Sequence, residues 1–167
     1  MVATFFGGAI NDTTTNEYKD SILIGTFLAE NNYRVFNGGY RGLMEAVSKG
    51  AVEAGGKAYG FTCSSFGNRA GNEYLTYERC LPTIYDRLEH LIEDIRVFIV
   101  QKGGIGTLSE LFLTWDVYRK KKDKPKIFLI GEHWNAIISS IEVISSLKER
   151  EMLILCKDFE DFKTKFN

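Results

Sequence analysis

The chain has 167 residues, of which 44% are hydrophobic and 26% charged, and its formal net charge is −1. That length suits one domain with a full hydrophobic core, and the near-neutral balance gives no general electrostatic grip on nucleic acid or on an anionic membrane. No apolar run approaches the ~20 residues of a membrane span; Cys63, Cys80 and Cys156 contain no C-x-x-C, which fits a reducing compartment without a disulfide framework or zinc site.

In chain order, MVATFF enters a strand at once with no basic segment before it, so a cytoplasmic location is expected. Residues 2–6 form that strand and Gly7-Gly8 ends it. A helix from about Asn16 to Asn31 follows, opened by the capping-box pattern Thr14-x-x-Glu17. YRVFN (33–37) is the second strand, ended by Gly38-Gly39. Leu43, Val47, Ala51 and Ala54 recur at helical spacing until Gly55-Gly56 stops the helix. KAYGFT (57–62) is the third strand. The polar stretch CSSFGNRAGN (63–72) is too long for a tight connector and is a candidate rim or lid.

A short extended piece, YLTYERC, leads to Pro82, which suits a helix's first turn. Ile84, Leu88, Leu91, Ile92 and Ile95 make the apolar stripe of the next helix. The strand RVFIV, the loop QKGGIG, a helix from about Thr107 to Lys120 and the strand KIFLI (126–130) come next. The lysines of RKKKDKPK (119–126) read as a solvated helix end and loop. A helix from about His133 to Leu147, the strand MLILC (152–156) and a short helix to the end complete the chain.

Strands alternating with helices imply βαβ units in a mainly parallel, doubly wound sheet with helices on both faces, here one domain over residues 1–167. Right-handed crossovers put every strand's carboxyl end on one rim, where such sheets bind ligands. The glycine pairs at 7–8, 38–39 and 103–104 all follow strands and are expected to gather there. Gly103, Gly104, Ile105, Gly106 and Thr107 can then turn N–H groups and a hydroxyl toward a phosphate, since a glycine keeps a Cβ out of the way and a helix start carries unpaired donors. Known nucleotide motifs fail: both Asn37-x-Gly39-x-x-Gly42 and Gly104-x-Gly106-x-x-Ser109 lack a glycine of the dinucleotide fingerprint, GGAIND does not match it, and no P-loop or nucleophile elbow occurs. His90 and His133 are isolated, with no cluster to hold a metal, and His90 reads as a surface residue.

Two residues then stand out. Thr107-x-x-Glu110 is a capping box, so Glu110 can bond the cap residue's N–H. It also shares a helix face with Leu113 and Val117, where a carboxylate beside a phosphate cradle has a tunable proton affinity. These two readings are compatible. Arg87 lies at the edge of its helix's apolar stripe. It can pair on the surface with Asp86, Glu93 or Asp94, or turn its guanidinium fork toward a ligand at the rim.

GGYRGLMEAVSKGAVEAGG followed by KGGIGTLSE resembles the LOG family of Rossmann-like proteins, whose marks are a GG-x-x-GLM turn after the second strand and a PGG-x-GT-x-x-E turn about sixty residues later. The similarity runs from the first strand to about residue 130. It implies a three-layer Rossmann-like fold and a phosphoribohydrolase, which splits a nucleoside 5′-monophosphate into free base and ribose 5-phosphate. The alternative within the broader family is a non-catalytic nucleotide or phosphorylated-cofactor carrier or sensor, such as a molybdenum cofactor carrier.

Carried over, Gly103, Gly104, Ile105, Gly106 and Thr107 hold the 5′-phosphate, while Gly8, Gly38, Gly39, Gly42 and Met44 line the nucleotide pocket. Glu110 takes the place of the family's catalytic glutamate and Arg87 that of the arginine in its Arg-Lys pair. The resemblance also implies a homodimer; no bound cofactor or metal is expected. Lysine decarboxylation through pyridoxal phosphate would need a Schiff-base lysine, and none is marked. Three departures stand out. Lys102 replaces the motif's proline and either adds charge near the phosphate or faces solvent. Leu88 replaces the pair's lysine and reads as core. Asn37 replaces a glycine.

Overall fold

Val97, Phe98, Ile99 and Val100 are all buried, although successive strand side chains point to opposite faces. A strand apolar on both sides must be covered on both sides, and the computed structural model, which describes residues 1–9, 12–67 and 69–166, shows how. In chain order the elements are β1 (Val2–Phe6), α1 (Asn16–Glu30), β2 (Arg34–Asn37), α2 (Leu43–Glu53), β3 (Ala58–Cys63), β4 (Tyr77–Leu81), α3 (Ile84–Ile92), β5 (Val97–Val100), α4 (Ile105–Arg119), β6 (Lys126–Ile130), α5 (His133–Ile141), α6 (Leu147–Arg150), β7 (Leu153–Cys156) and α7 (Phe159–Phe166). The strands form one sheet in the order β4-β3-β2-β1-β5-β6-β7, every pair parallel. The short piece YLTYERC thus supplies the edge strand β4.

Alternation splits the core into two layers. Val97 and Ile99 face Ile24, Leu28 and Val47 of α1 and α2, with Phe162 of α7 beside them. Phe98 and Val100 face Leu91 of α3, Leu111 and Trp115 of α4 and Trp134 of α5. The result is a three-layer, doubly wound Rossmann-like α/β fold.

Some boundaries differ from the sequence reading, each for a local reason. Thr15, rather than Thr14, caps α1 by accepting from the Tyr18 N–H at 3.2 Å, because Thr14 is engaged with Asp12. Pro82 precedes the cap instead of filling the first turn; Thr83 caps α3 in a reciprocal box with Asp86. That helix stops at Ile92, since Asp94 adopts φ 57°, and Ile95 packs from beyond its end. The single helix expected over 133–147 is two: Ser146 accepts from the Glu149 N–H and starts α6 afresh. Asn167, at the end of the last predicted helix, lies outside the described residues, as do Ile10 and Asn11 of GGAIND and Asn68 of the 63–72 stretch.

From β1 the chain winds to β4 on one side of the sheet, then crosses back to β5 on the other side of β1. The carboxyl ends of β1 and β5 are therefore the switch point at which a crevice opens. Two backbone bonds draw the turns together there: the Gly8 N–H donates to the Lys102 C=O and the Leu43 N–H to the Gly8 C=O, each at 3.0 Å.

Candidate active site

The rim is built from the α4 end upward. This helix begins at Ile105, two residues earlier than the sequence pattern suggests, with Gly104 at the cap and no side chain bonded there. The first intrahelical donor is the Leu108 N–H, to the Gly104 C=O at 3.1 Å. The N–H groups of Ile105, Gly106 and Thr107 thus have no intrahelical acceptor and carry the positive end of the helix dipole. A β-carbon placed on Gly104 or on Gly106 would meet nothing within 4 Å. Packing does not demand glycine at either position, and inside a helix glycine costs about 0.5–1 kcal/mol against alanine. What glycine does provide is room for an anion to reach the backbone donors. Gly103 is different: its β-carbon would fall 2.1 Å from Thr107 Oγ1, so it seats that side chain behind the cradle.

The early helix start overturns the capping-box reading of Glu110. With Gly104 at the cap, Glu110 lies a turn and a half into α4, too far along to reach back to it. Its residue is 9% exposed, and its Oε1 accepts instead from Arg87 Nη1 at 3.0 Å. Among the described residues no donor reaches Oε2, and Glu110 is one of the residues that line a cavity. Burial raises the carboxyl's proton affinity above its ordinary value, and the neighbouring guanidinium offsets only part of that rise.

The surface pairing considered for Arg87 is likewise overturned. Arg87 is 5% exposed and points inward from α3. Its Nε donates to the Phe61 C=O in β3, at 2.7 Å. A β-carbon on Gly38 would lie 2.0 Å from Nη2, so Gly38 makes the seat into which the guanidinium fits. The Tyr40 ring lies 6.0 Å from the guanidinium carbon, within cation–π range.

These groups share one cavity of about 510 Å³. Of the residues expected in the site, Gly8, Met44, Arg87, Gly104, Ile105, Gly106, Thr107 and Glu110 line it. Gly103 and Gly38 stand behind its wall as packing positions. Gly39 (φ 80°) shapes the turn, and its C=O accepts from the Asn72 N–H at 2.8 Å. Gly42 borders a neighbouring polar hollow with Arg41, Glu45 and Asn72.

Leu88, 8% exposed, also reaches the cavity wall, so the position of the family's lysine is apolar here. Lys102 does not line the cavity; its Nζ pairs with Glu17 of α1 at 3.1 Å. Asn37 is buried: it donates to Ser48 Oγ at 2.9 Å and accepts from the Gly39 N–H at 2.7 Å, which fixes the turn a glycine would leave loose. His90 is half-buried rather than a surface residue, with Nδ1 at 2.8 Å from the Asp86 C=O and its ring against Phe61. Among the described residues no cluster of three or more His, Cys, Asp or Glu could hold a metal.

The sequence analysis missed Tyr40 and Phe66 as lining residues; Arg69, from the stretch read as a rim or lid, lines the cavity with them. The signals were present: an aromatic inside a glycine turn, and an aromatic and an arginine in the stretch already read as a lid. Among the described residues Arg69 has no carboxylate partner, so its charge is free to meet an anion in the cavity.

The comparisons with known proteins bear on the family and the fold. A "cytokinin riboside 5′-monophosphate phosphoribohydrolase" of Rhodococcoides fascians is 29% identical over 168 residues, covering 94% of this chain and 84% of the relative. Among solved structures, a molybdenum cofactor binding protein from the phototrophic bacterium Rippkaea orientalis superposes with a TM-score of 0.78 at 17% identity, and the molybdenum cofactor carrier protein of Chlamydomonas reinhardtii with 0.75 at 18%. In each case the match covers 99% of this chain and 94% of the other. At those identities the likeness concerns the fold. The profile of the family described as "possible lysine decarboxylase" matches residues 44–166, so the chain belongs to that family, the LOG family that its two glycine turns resemble.

Proposed function

We propose that the chain is a nucleoside 5′-monophosphate phosphoribohydrolase. One observation carries the reading: a buried Arg87–Glu110 pair opens onto the same cavity as the unpaired N–H groups at the start of α4. The 29% identical phosphoribohydrolase supports it. The 5′-phosphate sits on the N–H groups of Ile105, Gly106 and Thr107. That anchoring contributes remote binding energy and places the ribose over Glu110, a turn farther along α4.

Losing a base leaves positive charge on C1′ and the ring oxygen. The Glu110 carboxylate stabilises that charge and takes a proton from the attacking water. The water oxygen bonds to C1′, the C1′–N bond breaks, and its electron pair leaves with the base, which takes up a proton. Arg87 holds Oε1, so that Oε2 stays directed at the reacting centre. A carboxyl whose proton affinity is raised by burial suits a general base. Lysine decarboxylation finds no support: no lysine is among the residues lining the cavity.

An apolar groove between α3 and α4, where Tyr85, Leu113 and Val117 lie exposed, flanks the cavity. It supports a homodimer formed by a second copy of the chain. The cytoplasmic location is part of the same proposal; the three cysteines are free thiols.

The test is incubation with the common nucleoside 5′-monophosphates, followed by assay for free base and ribose 5-phosphate. Release of both in equal amounts supports the hydrolase. Tight nucleotide binding with no release overturns it in favour of a carrier or sensor. Light scattering at micromolar concentration tests the dimer; a monomeric mass rules it out.

A further inference from the structure

A chain of contacts links residues of the cavity wall. From the cradle at 104–107 the wall continues to Glu110, from Glu110 to Arg87 at 3.0 Å, and from Arg87 to the Tyr40 ring at 6.0 Å. Tyr40 then meets Phe66 with ring centroids 6.5 Å apart and planes inclined at 48°. Both rings line the same cavity as the cradle.

The two rings are held differently. Tyr40 is fixed: its hydroxyl accepts from the Cys63 N–H at 2.9 Å, and its C=O accepts from Asn72 Nδ2 at 2.9 Å. Phe66 stands on the turn after β3 and is 45% exposed. Its ring pair with Tyr40 leaves much of its own surface uncovered. An aromatic face open to a cavity, next to a fixed ring and a guanidinium, suits a flat, electron-rich heterocycle.

We infer that the base of the bound nucleotide stacks on Phe66, with Tyr40 as the fixed inner wall, so that these residues recognise any planar nucleobase. The inference rests on the proposed phosphoribohydrolase reading and gives the substrate its direction: phosphate at Ile105–Thr107, ribose beside Glu110 and Arg87, base against the two rings. Stacking on a π face does not distinguish one base from another, so Phe66 sets affinity for a base as such.

The experiment measures equilibrium binding of the four common nucleoside 5′-monophosphates and of ribose 5-phosphate, which has no base. Glu110→Gln serves as the background, so that nothing turns over. Phe66→Ala is expected to weaken whichever monophosphates bind by roughly ten-fold or more, the factor expected of one base on one ring, and to leave ribose 5-phosphate unchanged. Phe66→Trp, which keeps a platform, is expected to restore nucleotide binding. Equal weakening of nucleotide and ribose 5-phosphate by Phe66→Ala, or no weakening of either, overturns the stacking. If ribose 5-phosphate fails to bind before Phe66 is changed, the phosphoribosyl reading of the cavity fails first, and the inference with it.

Discussion

Arg87 Nη1 and Glu110 Oε1 meet at 3.0 Å although 23 residues separate them and they stand on different helices. Both side chains are almost wholly shielded, at 6% and 12% exposure. Truncating one member of such a pair strands the other as an uncompensated buried charge, at a cost of about 3–5 kcal/mol. Arg87→Ala should therefore lower the unfolding free energy in urea by about that much, since it strips a donor from the Phe61 C=O as well. Glu110→Gln keeps an acceptor for Arg87; it should unfold cooperatively near the parent midpoint and release no base. A Glu110→Gln protein that still hydrolyses nucleotides at the parent rate would remove the carboxylate from the mechanism.

The raised proton affinity of Glu110 has two consequences of opposite sign. Turnover needs the carboxylate, so kcat/KM should fall as pH drops through a value above the ordinary 4.5. Stability runs the other way. A group that binds its proton more tightly when folded contributes stability fully below its unfolded value, and loses it as pH rises through the folded value. Parent protein minus Glu110→Gln should thus give an unfolding free-energy difference that grows toward acid pH. A difference that shrinks toward acid would mean that Arg87, not burial, dominates.

Two glycine substitutions should separate ligand approach from packing. Gly106→Ala meets no atom within 4 Å and removes a helical glycine, so it should stabilise the fold by up to about 1 kcal/mol. In the proposed function the same methyl would meet the phosphate, and binding of inorganic phosphate or ribose 5-phosphate should weaken at least several-fold. Gly38→Ala drives a β-carbon to 2.0 Å from Arg87 Nη2; it should cost about 1–3 kcal/mol, as overpacking does, and reduce turnover by displacing the guanidinium. Calorimetric melting and phosphate titration distinguish the pair. Destabilisation by Gly106→Ala would show that helix geometry requires the glycine.

The three thiols should also separate. Cys80 is exposed on β4, whereas Cys63 and Cys156 are buried, and burial pushes the Cys156 thiol up to about 11. A thiol reagent at pH 8 should label one cysteine quickly in the native protein and all three in urea. Fast native labelling of Cys156 would mean that α7 opens readily from the sheet.

Much of the fold was legible because its signals are local. Apolar runs such as Val97–Val100 identify buried strands, and the periodic residues from Leu43 to Ala51 identify a helix face. Glycines after strands mark the rim. The glycine turn that leads into α4 was legible for the same reason. Boundary errors arose where two local signals competed, as at Thr14 and Thr15, or where a capping pattern fell inside a helix, as at Thr107-x-x-Glu110.

The sequence by itself determined the alternation of strand and helix, the doubly wound class and the place of the three glycine turns, because backbone preference and side-chain period act over a few residues. Only the tertiary structure decided that Arg87 turns inward to Glu110, and that Gly38 seats the guanidinium while Gly104 and Gly106 leave the cradle open. It also showed why Gly25 and Gly50 sit inside helices: a β-carbon on either would lie within about 2 Å of a carbonyl oxygen of the facing helix. Each of these depends on strand register and on how far a helix is rotated against the sheet. Those quantities are set by packing the whole core at once, and no short window of the chain encodes them.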